Sequence, residues 1–257
     1  MNRPSVTSQA VALTRARLDR PHTPEGDPDA QAGLCAEMRF SPPEWLQPSI
    51  AVRTRFVDEH VTRAIAAGLR QVVICGAGYD DRALRFRTTG VRFFELDQSA
   101  TQGDKARLLA ELDAGERGPT LAPVDFRTDD AAVVLERAGH RATEPSLFVC
   151  EGLLVYLDHA TCERLLRTLA GCAAPGSVLA ASLATHADGH DSADVIAAAN
   201  GRRRAGAAEP WRTILPLVEH LGMVTNAGWQ VAATEWSPVA APDVSHGRRS
   251  LLVTASR

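Results

Sequence analysis

The sequence lacks the features that mark secreted, metal-binding and membrane-spanning proteins. Five of its 257 residues are cysteines, an odd number, and no CxxC or Cys/His spacing typical of a zinc site occurs. A disulfide scaffold and a metal site are therefore not expected, and a reducing cytoplasm is favoured over secretion. No apolar run approaches the length needed to span a bilayer, and the N-terminus has no apolar core of signal-peptide length. These absences predict a soluble, cytoplasmic protein.

An excess of charge of either sign is also missing. The chain has 28 Lys and Arg residues against 31 Asp and Glu, a net charge of −3, and a pI near 6.2. This balance provides no excess positive charge to attract nucleic acid or anionic lipid, so neither is expected as a partner. The hydrophobic fraction of 45% is ordinary for a globular protein.

What the sequence does contain, after residue 70, is a regular alternation of apolar runs and helical stretches. The predicted strands are residues 71–75, 91–97, 120–126, 146–152 and 177–184, with helices near 81–87, 98–114, 128–139 and 158–173. Strands that are apolar throughout and separated by helices predict a parallel sheet covered on both faces. A helix near 210–222 then precedes two late strands, 228–236 and 248–256, which no helix separates. The last strand must therefore run antiparallel to its neighbour.

This order predicts a doubly wound, Rossmann-like α/β sheet of seven strands with the last strand antiparallel, the pattern of class I methyltransferases. Residues 1–50 contain an amphipathic helix and two proline-rich interruptions, and they predict an N-terminal helical cap or lid segment. Residues 51–257 are predicted to form an S-adenosylmethionine-binding methyltransferase domain.

The first candidate site is the glycine turn that follows the first strand, in QVVICGAGYDDRALRF. Gly76, Ala77 and Gly78 stand between a strand and a helix, where the backbone can approach a ligand closely. A simple strand-to-helix turn is the alternative. In a G-x-G-x-x-G dinucleotide motif the third glycine would stand at Asp81, directly after Asp80. Two carboxylates would repel a pyrophosphate but suit a cation, which favours S-adenosylmethionine, a sulfonium without phosphate.

Acidic residues also end the next two predicted strands. Asp97 ends the second strand, where its carboxylate can accept hydrogen bonds from ribose hydroxyls, and Gln98 is assigned to the same site. Asp125 ends the third and could bind an adenine amino group while the Phe126 ring packs on the base. Both aspartates could instead be helix caps.

The fourth strand ends on Glu151, an acid in an otherwise apolar segment. Such a residue needs a cationic ligand or an arginine as partner. Arg53 could hold the carboxylate of the cofactor's methionine moiety, although a surface position is the alternative. Tyr156 and His186 are the catalytic candidates, with core packing and an exposed loop position as their respective alternatives.

Together these motifs give the chain its family resemblance. The segments RTRFVDEHV, GLRQVVICGAGYDDRALRF, FFELDQ, PVDFR and CEGLLVYL resemble the leucine carboxyl methyltransferase family, in particular its bacterial branch of secondary-metabolite and polyketide O-methylation. The resemblance implies an S-adenosylmethionine-dependent O-methyltransferase that acts on a small-molecule substrate. It assigns the cofactor carboxylate to Arg53, the ribose to Asp97 and the adenine to Asp125, and it also places Gly76 and Glu151 in the site. Asp81 differs from the threonine usual in the family.

The acceptor decides what chemistry is needed. A carboxylic acid is already ionised at neutral pH, since its ordinary pKa is near ~4, and positioning alone would suffice. A phenol or alcohol would require a general base, for which His186 is the candidate. The alternatives are methylation of a protein C-terminal carboxylate, cofactor binding without methyl transfer, and an NAD-dependent dehydrogenase.

Overall fold

The computed structural model of the chain describes residues 4–112, 118–202, 209–237 and 248–257. Its strands are β1 (Gln71–Cys75), β2 (Arg92–Asp97), β3 (Thr120–Pro123), β4 (Ser146–Cys150), β5 (Val178–His186), β6 (Leu215–Pro216), β7 (Gln230–Ser237) and β8 (Arg249–Ser256). Its α-helices are α1 (Val6–Arg15), α2 (Ala30–Leu34), α3 (Gln47–Ala66), α4 (Arg82–Arg85), α5 (Ser99–Glu111), α6 (Ala131–Arg137), α7 (His159–Gly171), α8 (Ser192–Arg202) and α9 (Leu217–Asn226). Short 3-10 helices occur at Glu44–Leu46 and Leu154–Tyr156.

The described strands form one sheet in the order β3-β2-β1-β4-β5-β8-β7, with β6 beside the end of β5. Strands β1 to β5 pair in parallel, and β8 pairs antiparallel with both β5 and β7. The predicted doubly wound sheet with an antiparallel last strand is confirmed. The predicted count of seven was too low by one, because the two-residue β6 pairs with Thr185 and His186. A strand that short has no alternating pattern to detect.

The core lies on both faces of this sheet. All residues of β1 and β4 are buried. In β1, Val73 and Cys75 belong to one apolar cluster, and Val72 and Ile74 to another. Because successive side chains of a strand point to opposite faces, the two clusters cover opposite sides of the sheet.

Several predicted boundaries move. Strand β3 ends at Pro123, so Asp125 and Phe126 lie in the loop that follows it. Helix α4 is only four residues long, and α9 begins at Leu217 rather than near 210. Pro216 stands at the N-cap of α9, where its missing N–H needs no partner. The hairpin of β7 and β8 is confirmed by their register, while its connection, residues 238–247, lies outside the described residues.

The N-terminal segment shares a core with the sheet domain. Ala12 and Leu34 are buried in one cluster with Tyr79 and Leu108. The predicted boundary after residue 50 falls inside α3, so this helix belongs to both parts. The division into a cap and a methyltransferase domain stays a prediction.

No cysteine of the chain is in a disulfide, and all five are buried. Over the described ranges, no group of His, Cys, Asp and Glu side chains could hold a metal ion. None of the helices in the same ranges is long and apolar enough to cross a membrane.

Candidate active site

The glycine turn carries the chain from the end of β1 over the end of β2. Gly76 and Gly78 have positive φ angles of 68° and 53°. The Gly78 N–H donates to Asp97 Oδ2 at 2.6 Å, and the Gln98 N–H donates to Asp97 Oδ1 at 2.7 Å. Burial raises the pKa of Asp97, although both N–H donors oppose the shift. A carboxylate oxygen accepts more than one hydrogen bond, so Asp97 keeps acceptor capacity for ligand hydroxyls.

Helix α1 lies directly against this turn. A Cβ atom on Gly78 would stand 2.6 Å from Ser8 Cβ, and one on Gly76 would stand 3.0 Å from Leu153 Cδ1. Ala77, between the two glycines, is itself buried. The turn therefore needs glycine for two reasons within the protein, the positive φ angles and the close approach of neighbouring side chains.

The aspartate doublet is neutralised by arginines. Asp80 Oδ2 accepts from Arg15 Nη1 at 3.1 Å and from Arg82 Nη1 at 2.5 Å. Asp81 Oδ1 accepts from Arg20 Nη1 at 2.6 Å, and Asp81 Oδ2 accepts from Arg85 Nε at 2.8 Å. The sequence interpretation, in which the two charges favour a cationic cofactor, is thus wrong for these residues. Their charges stabilise buried guanidinium groups.

The Asp81 side chain is an internal ion-pair partner rather than a helix cap. Asp81 stands at the N-cap position of α4, but its side chain makes no capping hydrogen bond. The residue is fully buried between its two arginines. Burial alone would raise the pKa of Asp81, and the nearby Arg20 and Arg85 lower it.

The two halves of this ion-pair network are joined by α3. Asp58 accepts from Arg20 Nε at 2.8 Å and from Arg82 Nε at 2.6 Å. We call the whole set the arginine–carboxylate network. It consists of Arg15, Arg20, Arg82, Arg85, Asp58, Asp80, Asp81 and Glu151. Its four cations balance its four anions, as buried charges require.

Glu151 connects the network to an unsatisfied pair of atoms at the end of β4. Its Oε2 lies 2.7 Å from Arg15 Nη2 and 3.1 Å from Arg82 Nη1. Its other oxygen, Oε1, lies 3.7 Å from Arg53 Nε. Among the described residues, neither Glu151 Oε1 nor Arg53 Nε has a hydrogen-bond partner, although both atoms are buried. Burial alone would raise the pKa of Glu151, but Arg15, Arg82 and Arg53 together lower it to about 2.

Unpartnered buried polar atoms are rare because each costs about 1–3 kcal/mol. Here one is anionic and one cationic, and they face each other beside the glycine turn. A ligand with an ammonium and a carboxylate on neighbouring atoms would satisfy both. The amino-acid end of S-adenosylmethionine is such a group, so the residues fit the predicted cofactor.

The predicted adenine contacts, Asp125 and Phe126, lie in the loop that follows β3. Asp125 forms a two-point ion pair with Arg127, Nε to Oδ1 at 2.9 Å and Nη2 to Oδ2 at 2.6 Å. Phe126 is buried and lines a cleft of about 310 Å³ between the β3–α6 loop and α7. The structure thus leaves the Asp125 carboxylate at the surface, engaged with Arg127 rather than free.

The two catalytic candidates occupy different settings. His186 ends β5 and is buried, with Nδ1 at 2.8 Å from the Ala187 carbonyl oxygen and Nε2 at 2.8 Å from Ser192 Oγ. It is therefore not the exposed loop histidine considered as the alternative. Tyr156 is half-buried at the end of the 3-10 helix that follows Glu151.

Sequence reasoning missed Arg15 and Arg82 as parts of this site. Their contacts with Glu151 join residues 136 and 69 positions apart (151 − 15 and 151 − 82). Arg15 occurs within an amphipathic helix, where an arginine normally faces solvent. The only available signal was the need of Glu151 for a cationic partner, which does not say which arginine supplies it.

Comparison with known proteins places the chain in a family. Residues 8–170 match the family model for leucine carboxyl methyltransferase. A Frankia alni protein is 34% identical over 226 residues, covering 83% of this chain and 76% of that protein. A Streptomyces avermitilis protein is 32% identical over 220 residues, covering 81% and 75%. A Parafrankia protein is 40% identical over 160 residues, covering 60% and 48%. All three are named "putative S-adenosyl-L-methionine-dependent methyltransferase".

Solved structures share the fold at low sequence identity. A "putative methyltransferase" from Thermobifida fusca superposes with a TM-score of 0.63 and 15% identity, covering 99% of this chain and 95% of that one. Magnesium protoporphyrin IX methyltransferase from Synechocystis PCC 6803, solved with bound S-adenosylhomocysteine, gives a TM-score of 0.57 and 14% identity, covering 89% and 93%. At such identities these likenesses support the class I methyltransferase fold alone.

Proposed function

Since the chain belongs to the leucine carboxyl methyltransferase family, we propose that it methylates an oxygen atom of a small-molecule secondary metabolite such as a polyketide. A carboxylate is the proposed acceptor, with a hydroxyl as the second choice. The protein is an S-adenosyl-L-methionine-dependent methyltransferase. O-methylation and the acceptor class are the parts that need an experiment.

One observation carries the cofactor assignment, the facing pair of Glu151 Oε1 and Arg53 Nε. Both atoms are buried, oppositely charged and without hydrogen-bond partners among the described residues. In the proposed complex the cofactor's ammonium donates to Glu151, and its carboxylate accepts from Arg53. Such charge-assisted bonds are short and strong, and together they specify an amino acid.

The remaining contacts follow the carboxyl edge of the sheet. Asp97 is proposed to accept from the ribose hydroxyls, with Gln98 beside it, because each Asp97 oxygen already has one fixed N–H donor and acceptor capacity left. Asp125 and Phe126 are proposed to contact adenine. Arg127 binds Asp125 in the described structure, and Asp125 Oδ2, with one donor, keeps acceptor capacity for the adenine amino group.

When bound, S-adenosylmethionine supplies an electrophilic methyl group on its sulfonium sulfur. The chain then has to hold the acceptor oxygen in line with that methyl group and exclude water. A carboxylate acceptor needs no proton removal at neutral pH, since its pKa is about 4. His186 is not free to act as a base without breaking its contact with Ser192, which supports a carboxylate acceptor.

The proposal is tested by incubating the purified protein with methyl-labelled S-adenosylmethionine and matched acceptors. We would compare aromatic and aliphatic carboxylic acids with the corresponding phenols, alcohols and primary amides, and a peptide with a free C-terminus with its C-terminal amide. Base-labile label on the acids identifies methyl esters. Label on phenols alone would replace the carboxylate assignment, and label on the peptide alone would indicate a protein substrate.

The same preparation distinguishes the remaining alternatives. Binding of S-adenosylhomocysteine with no transfer to any acceptor would favour a protein that uses the cofactor without methyl transfer. Calorimetric titration that shows NAD binding and no binding of S-adenosylhomocysteine would overturn the assignment altogether.

A further inference from the structure

A buried arginine of the N-terminal segment has all its nitrogens engaged beside the cofactor site. Arg15 Nε donates to Thr54 Oγ1 at 3.2 Å, Nη1 to Asp80 Oδ2 at 3.1 Å and Nη2 to Glu151 Oε2 at 2.7 Å. Its side chain is 6% exposed. Arg53, by contrast, is 20% exposed and keeps an unpartnered Nε within the described structure. All nitrogens of Arg15 are thus engaged within the protein, whereas Arg53 keeps an unused donor.

The contacts of Arg15 decide which way the Glu151 carboxylate points. Arg15 and Arg82 both bind Oε2, at 2.7 and 3.1 Å, and this leaves Oε1 facing Arg53 Nε across 3.7 Å. Without Arg15, only Arg82 would oppose rotation of the carboxylate toward Arg53. At ordinary hydrogen-bond distance, Glu151 Oε1 and Arg53 Nε would pair with each other, and neither atom would remain for a ligand.

We propose that Arg15 is a positioning residue of the cofactor site. It holds Glu151 apart from Arg53, so that the two charges receive the ammonium and the carboxylate of the cofactor's amino-acid end. The inference rests on the proposed cofactor contacts of Glu151 and Arg53. It makes α1 one wall of the site, in agreement with the close approach of Ser8 to Gly78.

A change of net charge does not account for the expected effect. Removing Arg15 takes one positive charge from the balanced arginine–carboxylate network, but a zwitterionic amino acid has no net charge. Its affinity depends on the separation and direction of the two opposite charges that it meets. The orientation of Glu151 is therefore what the substitution changes for this ligand.

Arg20 provides a matched control in the same segment. It is also buried, and it also bridges two carboxylates, Asp58 and Asp81. Its side-chain hydrogen bonds within the described structure go to those two aspartates and not to the facing pair of the cofactor site. A general loosening of the N-terminal segment should follow from Arg20→Gln as readily as from Arg15→Gln.

The experiment is calorimetric titration of the full chain with S-adenosylhomocysteine and with 5′-methylthioadenosine, which shares the nucleoside thioether but lacks the amino acid. For Arg15→Gln we expect about a tenfold loss of S-adenosylhomocysteine affinity, comparable to one charged hydrogen bond. The affinity for 5′-methylthioadenosine should stay within about twofold, which is a change too small to count as one lost bond. Arg20→Gln should leave the ratio of the two affinities unchanged, and Arg15→Lys should recover part of the loss.

The outcomes separate the inference from its premise. If the unsubstituted protein does not bind S-adenosylhomocysteine, the proposed function fails. If it binds but Arg15→Gln keeps the ratio of affinities, or loses both ligands equally, the positioning role is overturned. The same ratio change in Arg20→Gln would also overturn it. Should Arg15→Gln fail to fold, Arg15→Met takes its place, because it keeps an unbranched stem without a cation, and an unchanged ratio there contradicts the role.

Discussion

The close packing of α1 on the glycine turn predicts an unusually large effect of one methyl group. In Gly78→Ala the new Cβ would stand 2.6 Å from Ser8 Cβ, where ordinary contact begins near 3.4 Å, and the residue would keep a φ of 53°. Gly68→Ala is the matched control, because its φ is 87° and no atom lies within 4 Å of its new Cβ. The two substitutions share backbone strain but differ in the clash.

The magnitude follows from these two terms. A non-glycine residue in the left-handed region costs about 1–2 kcal/mol, and that cost applies to both variants. Overpacking of a well-packed interior adds about 1–3 kcal/mol, and that cost applies to Gly78→Ala alone. We therefore expect Gly78→Ala to lower the free energy of unfolding by about 2–5 kcal/mol, clearly more than Gly68→Ala.

Urea denaturation followed by circular dichroism measures both free energies. The double variant Ser8→Gly with Gly78→Ala removes the opposing Cβ, and it should recover the overpacking term measured against Ser8→Gly alone. Equal losses in Gly78→Ala and Gly68→Ala, or no recovery in the double variant, would refute the reasoning that α1 packs against the turn.

Further predictions concern pH, the ribose and the acceptor. Neighbouring guanidinium groups hold the pKa of Glu151 at about 2, below its unfolded value of ~4.3. The ionised carboxylate therefore stabilises the fold above pH ~4.3, and this contribution is lost as the pH falls toward the folded-state pKa. The difference in the free energy of unfolding between the unsubstituted protein and Glu151→Gln should shrink between pH 6 and pH 2.5, and a constant difference would contradict this. Burial raises the pKa of Glu95 to about 7 despite its ion pair with Lys105. Its contribution to the free energy of unfolding is therefore lost as the pH rises from ~4.3 through 7. In denaturation experiments, Glu95→Gln should flatten the dependence of the free energy of unfolding on pH over this range. Asp97→Asn should weaken S-adenosylhomocysteine and 5′-methylthioadenosine about equally, by roughly tenfold, since both carry the ribose; loss of only one would argue against a ribose contact. His186→Ala should leave turnover of a carboxylic acid nearly intact, and a large loss in a variant whose circular dichroism is unchanged would contradict catalysis without a general base.

The fold could be predicted from local patterns because those patterns have local causes. A run such as Gln71–Cys75, buried throughout, predicts a strand inside a covered parallel sheet. The absence of a helix between the last two strands predicts their antiparallel pairing. The two-residue β6 could not be predicted in this way, because it is defined by pairing with the end of β5 rather than by a pattern of its own.

The contacts of the candidate site, unlike the fold, could not be predicted from local patterns. Asp80 and Asp81 favoured the correct cofactor for an incorrect reason, since their partners are Arg15, Arg20, Arg82 and Arg85 rather than a ligand. Sequence shows that a charge exists but not which distant charge compensates it. Glu151 was the more informative residue, because a carboxylate at the end of a buried apolar strand needs a cationic partner in the folded protein.

Glu151 and Arg53 are proposed to receive the amino-acid end of S-adenosylmethionine, and a crystal structure of the protein soaked with S-adenosylhomocysteine would show whether they do. We expect the ligand's ammonium within hydrogen-bond distance of Glu151 Oε1, its carboxylate on Arg53 Nε and its ribose hydroxyls on Asp97. A ligand whose amino-acid end lies elsewhere, with the Glu151–Arg53 pair still facing each other unfilled, would contradict this proposal.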